Sequence, residues 1–183
     1  MTRAFVAVRI SEPVLDAVAS RVSALELRGR RTPREQWHLT LQFLGDAADP
    51  DAVSAALDGI ALPSGSAQIG GAGAFPDARR AQVLWLGLAE GSEVLARLAA
   101  AVAERLAALG HVPDPRPFRP HLTLARYRAP ADVRPTLAAI GHAPIGPQWE
   151  VDAVTVYESR RHSSGAEYVA RSTIPVAPGP SLS

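Results

Sequence analysis

Histidine and threonine recur in one alternation at two places in the chain. The tetrapeptide His38-Leu39-Thr40-Leu41 returns at 121–124, which is 83 positions further on. Side chains of an extended strand alternate between two faces, so in each copy the histidine and threonine share one face and the leucines share the other. A solvent-exposed face does not require the same polar pair twice, because other polar residues would serve there. The repetition therefore predicts one site built from His38, Thr40, His121 and Thr123.

Two imidazoles on facing walls of a cleft suit a reaction that needs both removal and delivery of a proton, because histidine titrates near neutrality. Hydrolysis of a phosphodiester by in-line displacement is such a reaction. One histidine would deprotonate the attacking water and the other would protonate the leaving oxygen. The threonine hydroxyls would stabilise the charge on the non-bridging oxygens. Arg119 and Arg126 flank the second copy and would add positive charge beside the same anion.

Length and composition indicate a soluble protein with a real core. The chain has 183 residues, of which 47% are hydrophobic, enough for one domain or two intimate lobes. It contains no long apolar run and no charged-then-apolar leader, so we expect a cytoplasmic protein without membrane contact. The absence of cysteine excludes disulfides, thiolate zinc sites and a cysteine nucleophile. All 19 basic residues are arginine, and the formal net charge of +1 provides no long-range field.

Hydrophobic patterning and turn residues predict a mixed order of strands and helices. Strands are predicted at 4–10, 37–44, 68–75, 82–88, 121–127, 149–157 and 167–174, and helices at 14–27, 49–57, 93–109 and 131–140. Residues 112–120 carry four prolines and predict an extended loop. Gly70, Gly71 and Gly73 predict an irregular strand with a bulge or a close backbone approach. We expect the tail at 176–183 to be disordered.

The predicted elements read as a duplication. The order strand, helix, loop, histidine strand, short helix occurs at 4–57 and again at 82–140, and strands 149–157 and 167–174 close the fold. We therefore expect a single bilobal domain over 1–175 of the α+β class. Its two pseudo-symmetric lobes would line a central cleft with antiparallel sheets and carry their helices outside.

Several stretches carry a family likeness. The chain resembles the 2H phosphoesterases, and within them the RNA 2′,3′-cyclic phosphodiesterases that are also described as 2′-5′ RNA ligases. The matching stretches follow the expected order at 3–8, 38–45, 83–87, 118–126, 157–159 and 165–168. The resemblance implies an enzyme without metal or cofactor that opens RNA-terminal 2′,3′-cyclic phosphates to 2′-phosphates. A reversible 2′-5′ ligase activity would be a lesser property.

The resemblance also implies roles for individual residues. His38 and His121 would form the acid/base pair, Thr40 and Thr123 would hold the phosphate, and Arg126 would add a further phosphate contact. It favours His121 as the group that activates water and His38 as the acid that protonates O3′. The near symmetry of the two strands leaves both these roles and the choice of leaving oxygen open.

Other residues are candidates for contacts outside the phosphate. Phe43 matches the family's aromatic position, although strict alternation places it on the Leu39 face, so stacking on a base requires a twist or bulge. The candidates for RNA binding are the arginines before the first histidine strand and in the middle turn: Arg28, Arg30, Arg31, Arg34, Arg79 and Arg80. The remaining histidines, His111, His142 and His162, are predicted to be surface residues.

Three alternatives compete with the RNA phosphodiesterase. A metal hydrolase is disfavoured because neither histidine has a second ligand at metal-binding spacing. A non-catalytic nucleotide- or RNA-binding module needs hydrogen-bond donors but no matched acid and base. A phosphoesterase that acts on a small cyclic-phosphate metabolite or on 2′-5′ oligonucleotides fits the same residues. We expect a monomer whose partner is RNA with cyclic phosphate ends or a related nucleotide.

Overall fold

Two antiparallel sheets form the framework of the computed structural model, which describes residues 3–46, 48–162 and 165–176. The first sheet has four strands, in the spatial order β3 (Leu39–Gly45), β1 (Arg3–Val8), β8 (Ala153–His162) and β9 (Gly165–Pro175). The second has five, in the order β2 (Arg30–Arg31), β6 (Leu122–Ala131), β5 (Ala81–Glu90), β4 (Ser66–Phe75) and β7 (Pro144–Glu150).

The helices cover the sheets. They are α1 (Glu12–Ser23), α2 (Pro50–Leu57), α3 (Ser92–Ala107) and α4 (Arg134–Ile140), and a 3-10 turn spans Arg34–Gln36. Helix α1 packs against β7 of the second sheet, and α3 packs against β3 of the first, so the lobes share one continuous core. The predicted α+β fold, with antiparallel sheets about a central cleft, is confirmed. Within the described ranges, no helix combines the length and apolar character needed to cross a membrane.

The first histidine strand contains a β-bulge directly after its threonine. In the pairing of β3 with β1, Ala7 lies opposite Thr40 and Val6 lies opposite Gln42, so Leu41 is the extra residue. Leu41 and Gln42 are both buried, although strict alternation would place them on opposite faces. A bulge shifts the alternation of a strand by one residue. Side chains beyond Leu41 therefore change faces.

The second histidine strand repeats this bulge. The pairing of β6 with β5 skips Leu124 between Thr123 and Ala125, and Leu124 and Ala125 are both buried. The shift brings Arg126 onto the face of its histidine, as the first bulge does for Phe43. The duplication therefore extends to an irregularity that the hydrophobic pattern alone does not predict.

The single strand predicted at 149–157 is in fact parts of two strands, with a break at residues 151 and 152. Residues 149 and 150 end β7, and β8 begins at Ala153. Pro144, Gly146 and Pro147 conceal β7 in the sequence, since these residues normally argue against a strand. At the edge of a sheet a proline costs no ladder hydrogen bond, and β7 is an edge strand.

Other boundaries also differ from the predictions. Helix α1 ends at Ser23, four residues before the predicted end at 27, and β6 continues to Ala131, the predicted start of a helix. The two-residue strand β2 lies in a predicted loop. At the chain end, Val176 is buried and donates its N–H to the carbonyl of Asp152 at 2.8 Å. The rest of the predicted tail, 177–183, lies outside the described residues.

The glycine-rich strand β4 is irregular, as predicted. Its pairing with β5 shifts between Ile69 and Ala72. A Cβ atom at Gly73 would lie 2.2 Å from the ring of Trp85, so glycine is needed there to leave room for the indole. The Trp85 ring in turn lies 5.9 Å from the imidazole of His121, measured between centroids. The glycine therefore shapes the surroundings of a predicted catalytic residue.

Candidate active site

Both histidine strands contribute to one cleft between the sheets. His38, Thr40, His121 and Thr123 all line it, and its volume is about 180 Å³. Leu39, Leu41, Leu122 and Leu124 are buried on the opposite side of their strands. The structure therefore brings together the four residues that the repeated tetrapeptide predicted.

The tautomer of His38 follows from its hydrogen bonds. Its Nδ1 lies 2.7 Å from the carbonyl oxygen of Gln36. A carbonyl only accepts, so Nδ1 carries the proton and the neutral ring keeps a lone pair on Nε2. Nε2 lies 3.1 Å from the hydroxyl of Thr40, which donates to it. His38 is thus oriented with its basic nitrogen beside a threonine of the same strand.

His121 is held in the same way. Its Nδ1 donates to the carbonyl of Arg119 at 2.7 Å, which leaves Nε2 as the basic nitrogen. In each copy the accepting carbonyl belongs to the residue two positions before the histidine. The guanidinium of Arg119 is exposed and does not line the cleft, so the structure does not bring this predicted phosphate ligand to the site. Arg119 instead orients the imidazole through its main chain.

Aromatic rings surround His38. The ring of Phe5 lies 4.8 Å from the imidazole, and Tyr168 meets it edge-on at 5.4 Å. Tyr157 lies 6.2 Å away and stacks on Phe5. These rings fix the orientation of the imidazole and shield part of it from water, while its remaining edge lines the cleft. Among them, only Tyr168 also lines the cleft.

His121 has its own pair of aromatic neighbours. Phe75 meets it edge-on with a centroid separation of 5.1 Å, and the two rings Phe75 and Trp85 lie 5.2 Å apart. The two imidazoles are thus enclosed by different residues, although their strands are repeated.

These surroundings lower both histidine pKa values. Burial brings the pKa of His38 down to about 4; the hydrogen bond to Gln36 opposes this shift, and the positive charges of His121 and Arg126 add to it. Burial also lowers the pKa of His121; the bond to Arg119 opposes that shift and the charge of Arg126 reinforces it. Near neutral pH both imidazoles are therefore neutral in this structure.

Phe43 and Arg126 line the cleft on the face of the histidines. The bulges place them there, which resolves the conflict between the predicted role of Phe43 and strict alternation. Phe43 is 67% exposed, an unusually high value for a phenylalanine. Its ring is available to a flat ligand, and Arg126 is available to an anion.

The arginines before the first histidine strand separate into different roles. Arg30 and Arg31 line the cleft, whereas Arg28 is exposed outside it. Arg34 is held by two carboxylates of α1, Glu12 at 2.7 Å and Asp16 at 2.6 Å. Arg34 therefore ties the loop to the helix and is not free to bind RNA.

The remaining predicted residues lie away from the cleft. Arg79 and Arg80 are exposed in a turn, where their main-chain N–H groups donate to Asp77. His142 is exposed, and His162 is exposed and paired with Glu167 at 3.0 Å. His111 is half-buried, and its carbonyl accepts from Gln42. None of these three histidines lines the cleft.

Sequence reasoning missed one wall of the cleft. Gln36 and Tyr168 line it, together with Thr32, Pro33 and Ala166. The side-chain amide of Gln36 donates to the carbonyl of Ala166, which ties the loop before the first histidine strand to β9. The signal for Gln36 was available, since its position before His38 matches that of Arg119 before His121. Ala166 and Tyr168 fall in the family-matching stretch at 165–168, but the predicted order of elements did not place β9 at the cleft.

The described residues offer no cluster of three or more His, Cys, Asp or Glu side chains that could hold a metal ion. The polar groups that line the cleft are instead imidazoles, hydroxyls, an amide and guanidiniums.

Comparison with known proteins assigns the family. The family model of the 2′-5′ RNA ligase superfamily matches residues 13–163. The chain belongs to this superfamily. It is 34% identical over 137 residues to the RNA 2′,3′-cyclic phosphodiesterase of Aquifex aeolicus, covering 70% of this chain and 72% of that protein. It is 33% identical over 179 residues to the protein of the same name from Thermus thermophilus, covering 91% and 86%.

Solved structures share the fold. A protein of known structure from Thermus thermophilus is 27% identical with a TM-score of 0.75, covering 95% of this chain and 97% of that one. Escherichia coli LigT complexed with 3′-AMP has a TM-score of 0.78 at 24% identity, covering 97% and 99%. The family implied by the resemblance is confirmed by the family model and by the relatives of the same name.

Proposed function

We propose that this protein is an RNA 2′,3′-cyclic phosphodiesterase that opens the terminal cyclic phosphate to a 2′-phosphate by two-histidine acid/base catalysis. The observation that carries the proposal is that His38 and His121 are held by the same hydrogen bond in the two repeats. Each donates Nδ1–H to the carbonyl two residues before it and presents a basic Nε2 to the same cleft. The name shared by the curated relatives supports the substrate class.

In the proposed reaction, water attacks phosphorus opposite O3′. One histidine accepts the water proton as the new P–O bond forms, and the other donates a proton to O3′ as the P–O3′ bond breaks. Thr40 and Thr123 donate to the non-bridging oxygens, and Arg126 stabilises their negative charge. No metal or cofactor takes part. The ligase reaction, with the 5′-hydroxyl of an RNA in place of the attacking water, would form a 2′-5′ linkage.

The two histidines have different roles in the proposed reaction. The family resemblance assigns the base to His121 and the acid to His38. The lower pKa of His38 favours the reverse in the substrate-free protein, because an acid must carry its proton. A bound phosphate anion raises the pKa of a nearby imidazole and would restore that proton. We therefore keep His121 as base and His38 as acid, with the proton of His38 acquired on binding.

Product identity tests the function directly. An RNA that ends in a 2′,3′-cyclic phosphate is incubated with the protein in EDTA, without ATP, and the products are resolved by phosphorus NMR. We expect a 2′-phosphate. A 3′-phosphate would overturn the regiochemistry, and unchanged substrate would point to a binding module or to a phosphoesterase for a small metabolite. Full activity in EDTA would also separate this mechanism from that of a metal hydrolase.

The expectations of a monomeric state and of a cytoplasmic location rest on the sequence alone and stay predictions.

A further inference from the structure

The cleft carries more positive charge than one cyclic phosphate neutralises. Arg30, Arg31 and Arg126 line it, and none of the described residues that line it is acidic. A cyclic phosphodiester has a single negative charge, which Arg126 alone would balance. The lowered pKa values make the histidines neutral near pH 7, so the surplus charge belongs to the arginines.

Arg30 is the arginine best placed to bind a second anionic group. In the pairing of β2 with β6 it lies directly opposite Arg126, and residues directly opposite each other in an antiparallel pair project to the same face. Neither guanidinium has a hydrogen-bond or ion-pair partner among the described residues. Arg31, in contrast, donates to the carbonyl of Leu25 at 2.7 Å. Two unpaired like charges side by side are unfavourable unless anionic groups bind beside them.

The main chain is shaped to hold Arg30 at this position. A Cβ atom at Gly29 would lie 2.9 Å from the carbonyl oxygen of Arg126 and 2.9 Å from the ring of Tyr127. Only glycine therefore lets the short strand β2 approach β6 this closely. The N–H of Thr32 donates to the carbonyl of Leu124 at 2.8 Å and extends the same ladder.

Arg30 and Arg126 differ in their relation to the histidines. The charge of Arg126 acts on both imidazoles, whereas Arg30 is not among the groups that shift either pKa. Arg126 is thus assigned to the reacting phosphate, and the unpaired guanidinium of Arg30 opposite it is left for a further phosphate of the substrate. In an RNA end, the nearest further phosphate is the one on the 5′ oxygen of the same ribose.

We propose that Arg30 binds this second phosphate, so that the site prefers a cyclic phosphate end with a phosphate on its 5′ oxygen to a nucleoside cyclic phosphate with a free 5′-hydroxyl. The inference rests on the proposed function and specifies its substrate. The second phosphate is either the diester of an RNA chain or a 5′-monoester, and both present the oxygens that a guanidinium binds.

Binding measurements test Arg30 without relying on turnover. Affinities for a nucleoside 2′-phosphate and for the matching 2′,5′-bisphosphate are measured by calorimetry with the wild type, Arg30→Gln and the charge-matched control Arg28→Gln. We expect the wild type to bind the bisphosphate about tenfold or more tightly, the usual effect of a charge-assisted contact. Arg30→Gln should abolish that preference and change 2′-phosphate affinity less than about twofold, while Arg28→Gln should retain the preference. Unchanged melting temperatures confirm that the variants fold.

Two results would overturn the proposal. One is an Arg30→Gln variant that preserves the bisphosphate preference, and the other is a variant that binds both ligands equally weakly, which would place Arg30 on the reacting phosphate. Kinetics then identify the source of the second phosphate. A loss of kcat/KM in Arg30→Gln on a dinucleotide with a cyclic end indicates the chain diester, and a loss on a 5′-phosphorylated mononucleotide cyclic phosphate indicates the monoester. If the wild type hydrolysed neither of these two cyclic phosphates, the proposed function would be wrong. The calorimetric comparison would still show whether Arg30 binds the second phosphate.

Discussion

Phe43 and Arg126 occupy the same position in the two repeats of this protein. Each follows its histidine by five residues, and each reaches the cleft because a bulge, at Leu41 or Leu124, shifts the alternation of its strand. One repeat therefore presents an aromatic ring where the other presents a cation. The histidines and threonines are duplicated, and the residues at this fifth position make the cleft chemically unequal at its two ends.

The histidine pair is tested by single substitutions. Replacing His38 or His121 by alanine should lower turnover of a cyclic phosphate end by about 10²–10⁴ each, as expected for loss of one general acid or base. The matched control is His142→Ala, an exposed histidine outside the cleft, which should keep full activity. Single-turnover kinetics and circular dichroism provide the measurement. Wild-type turnover in either cleft variant would contradict the paired mechanism.

The roles of the two histidines are separable by the leaving group. A substrate whose departing oxygen needs no proton, such as a nitrophenyl phosphodiester, should restore activity to His38→Ala more than to His121→Ala, because only the acid becomes dispensable. The comparison uses the ratio of rates on activated and natural substrates for each variant. The opposite order would assign the acid to His121, in line with the lower pKa of His38 in the substrate-free protein.

Stability should depend on pH through His38. Its pKa is about 4 in the folded protein and near 6.5 when unfolded, so between these values the unfolded chain binds more protons. The free energy of unfolding should thus fall as pH drops from about 6.5 towards 4, and the contribution of this group should be complete above pH 6.5. Urea unfolding at several pH values should show a shallower decline for His38→Gln than for the wild type. Parallel curves would show that burial does not suppress protonation of His38.

Phe43 is predicted to stack on the base of the bound nucleotide. Its ring is exposed, so Phe43→Ala should cost little stability but weaken nucleoside 2′-phosphate binding by about 1–3 kcal/mol, the usual contribution of one base stack. Binding of inorganic phosphate should not change. Phe118→Ala, an exposed phenylalanine that does not line the cleft, serves as control. Equal losses for nucleotide and phosphate would indicate that Phe43 shapes the cleft instead of contacting the base.

Gly73 is predicted to act through Trp85. In Gly73→Ala the new methyl group would overlap the indole, and overpacking of this kind costs about 1–3 kcal/mol. Because Trp85 neighbours His121, activity should fall as well. Trp85→Leu should remove most of the penalty of Gly73→Ala in a double-mutant cycle measured by urea unfolding. Additive effects would mean that the strain lies in the backbone of β4.

Alternation in the sequence was sufficient to predict the centre of the site. Histidine and threonine alternate with leucine in a two-residue period. This period alone places His38, Thr40 and their counterparts on one face of their strands. The same rule failed beyond Leu41 and Leu124, since a bulge depends on pairing between strands that are distant in the chain. Phe43 could therefore be assigned to the cleft only by resemblance.

Long-range pairing also explains the other differences. Strand β2 consists of two arginines, which carry no hydrophobic pattern, and exists because Gly29 lets it dock on β6. Strand β7 was hidden by prolines that only an edge position tolerates. Arg119 was expected at the phosphate from its nearness to His121 in sequence, but it lies in the loop before β6, where strand alternation does not set the direction of its side chain. Tyr168 lines the cleft because β9, near the end of the chain, pairs into the first sheet beside β8.

Neither lobe can complete its fold during translation before the later segments of the chain have been made. Strand β1 lies between β3 and β8, so the first sheet lacks one of its central neighbours until residues beyond Ala153 have been made. Helix α1 packs against β7, and β2 pairs with β6. These early segments therefore lack their packing partners until the later strands have been made. While the protein is still emerging from the ribosome, His38 has its strand but not Tyr157 or Tyr168 around it. The surroundings of His38 are therefore complete only after translation has passed the last two strands.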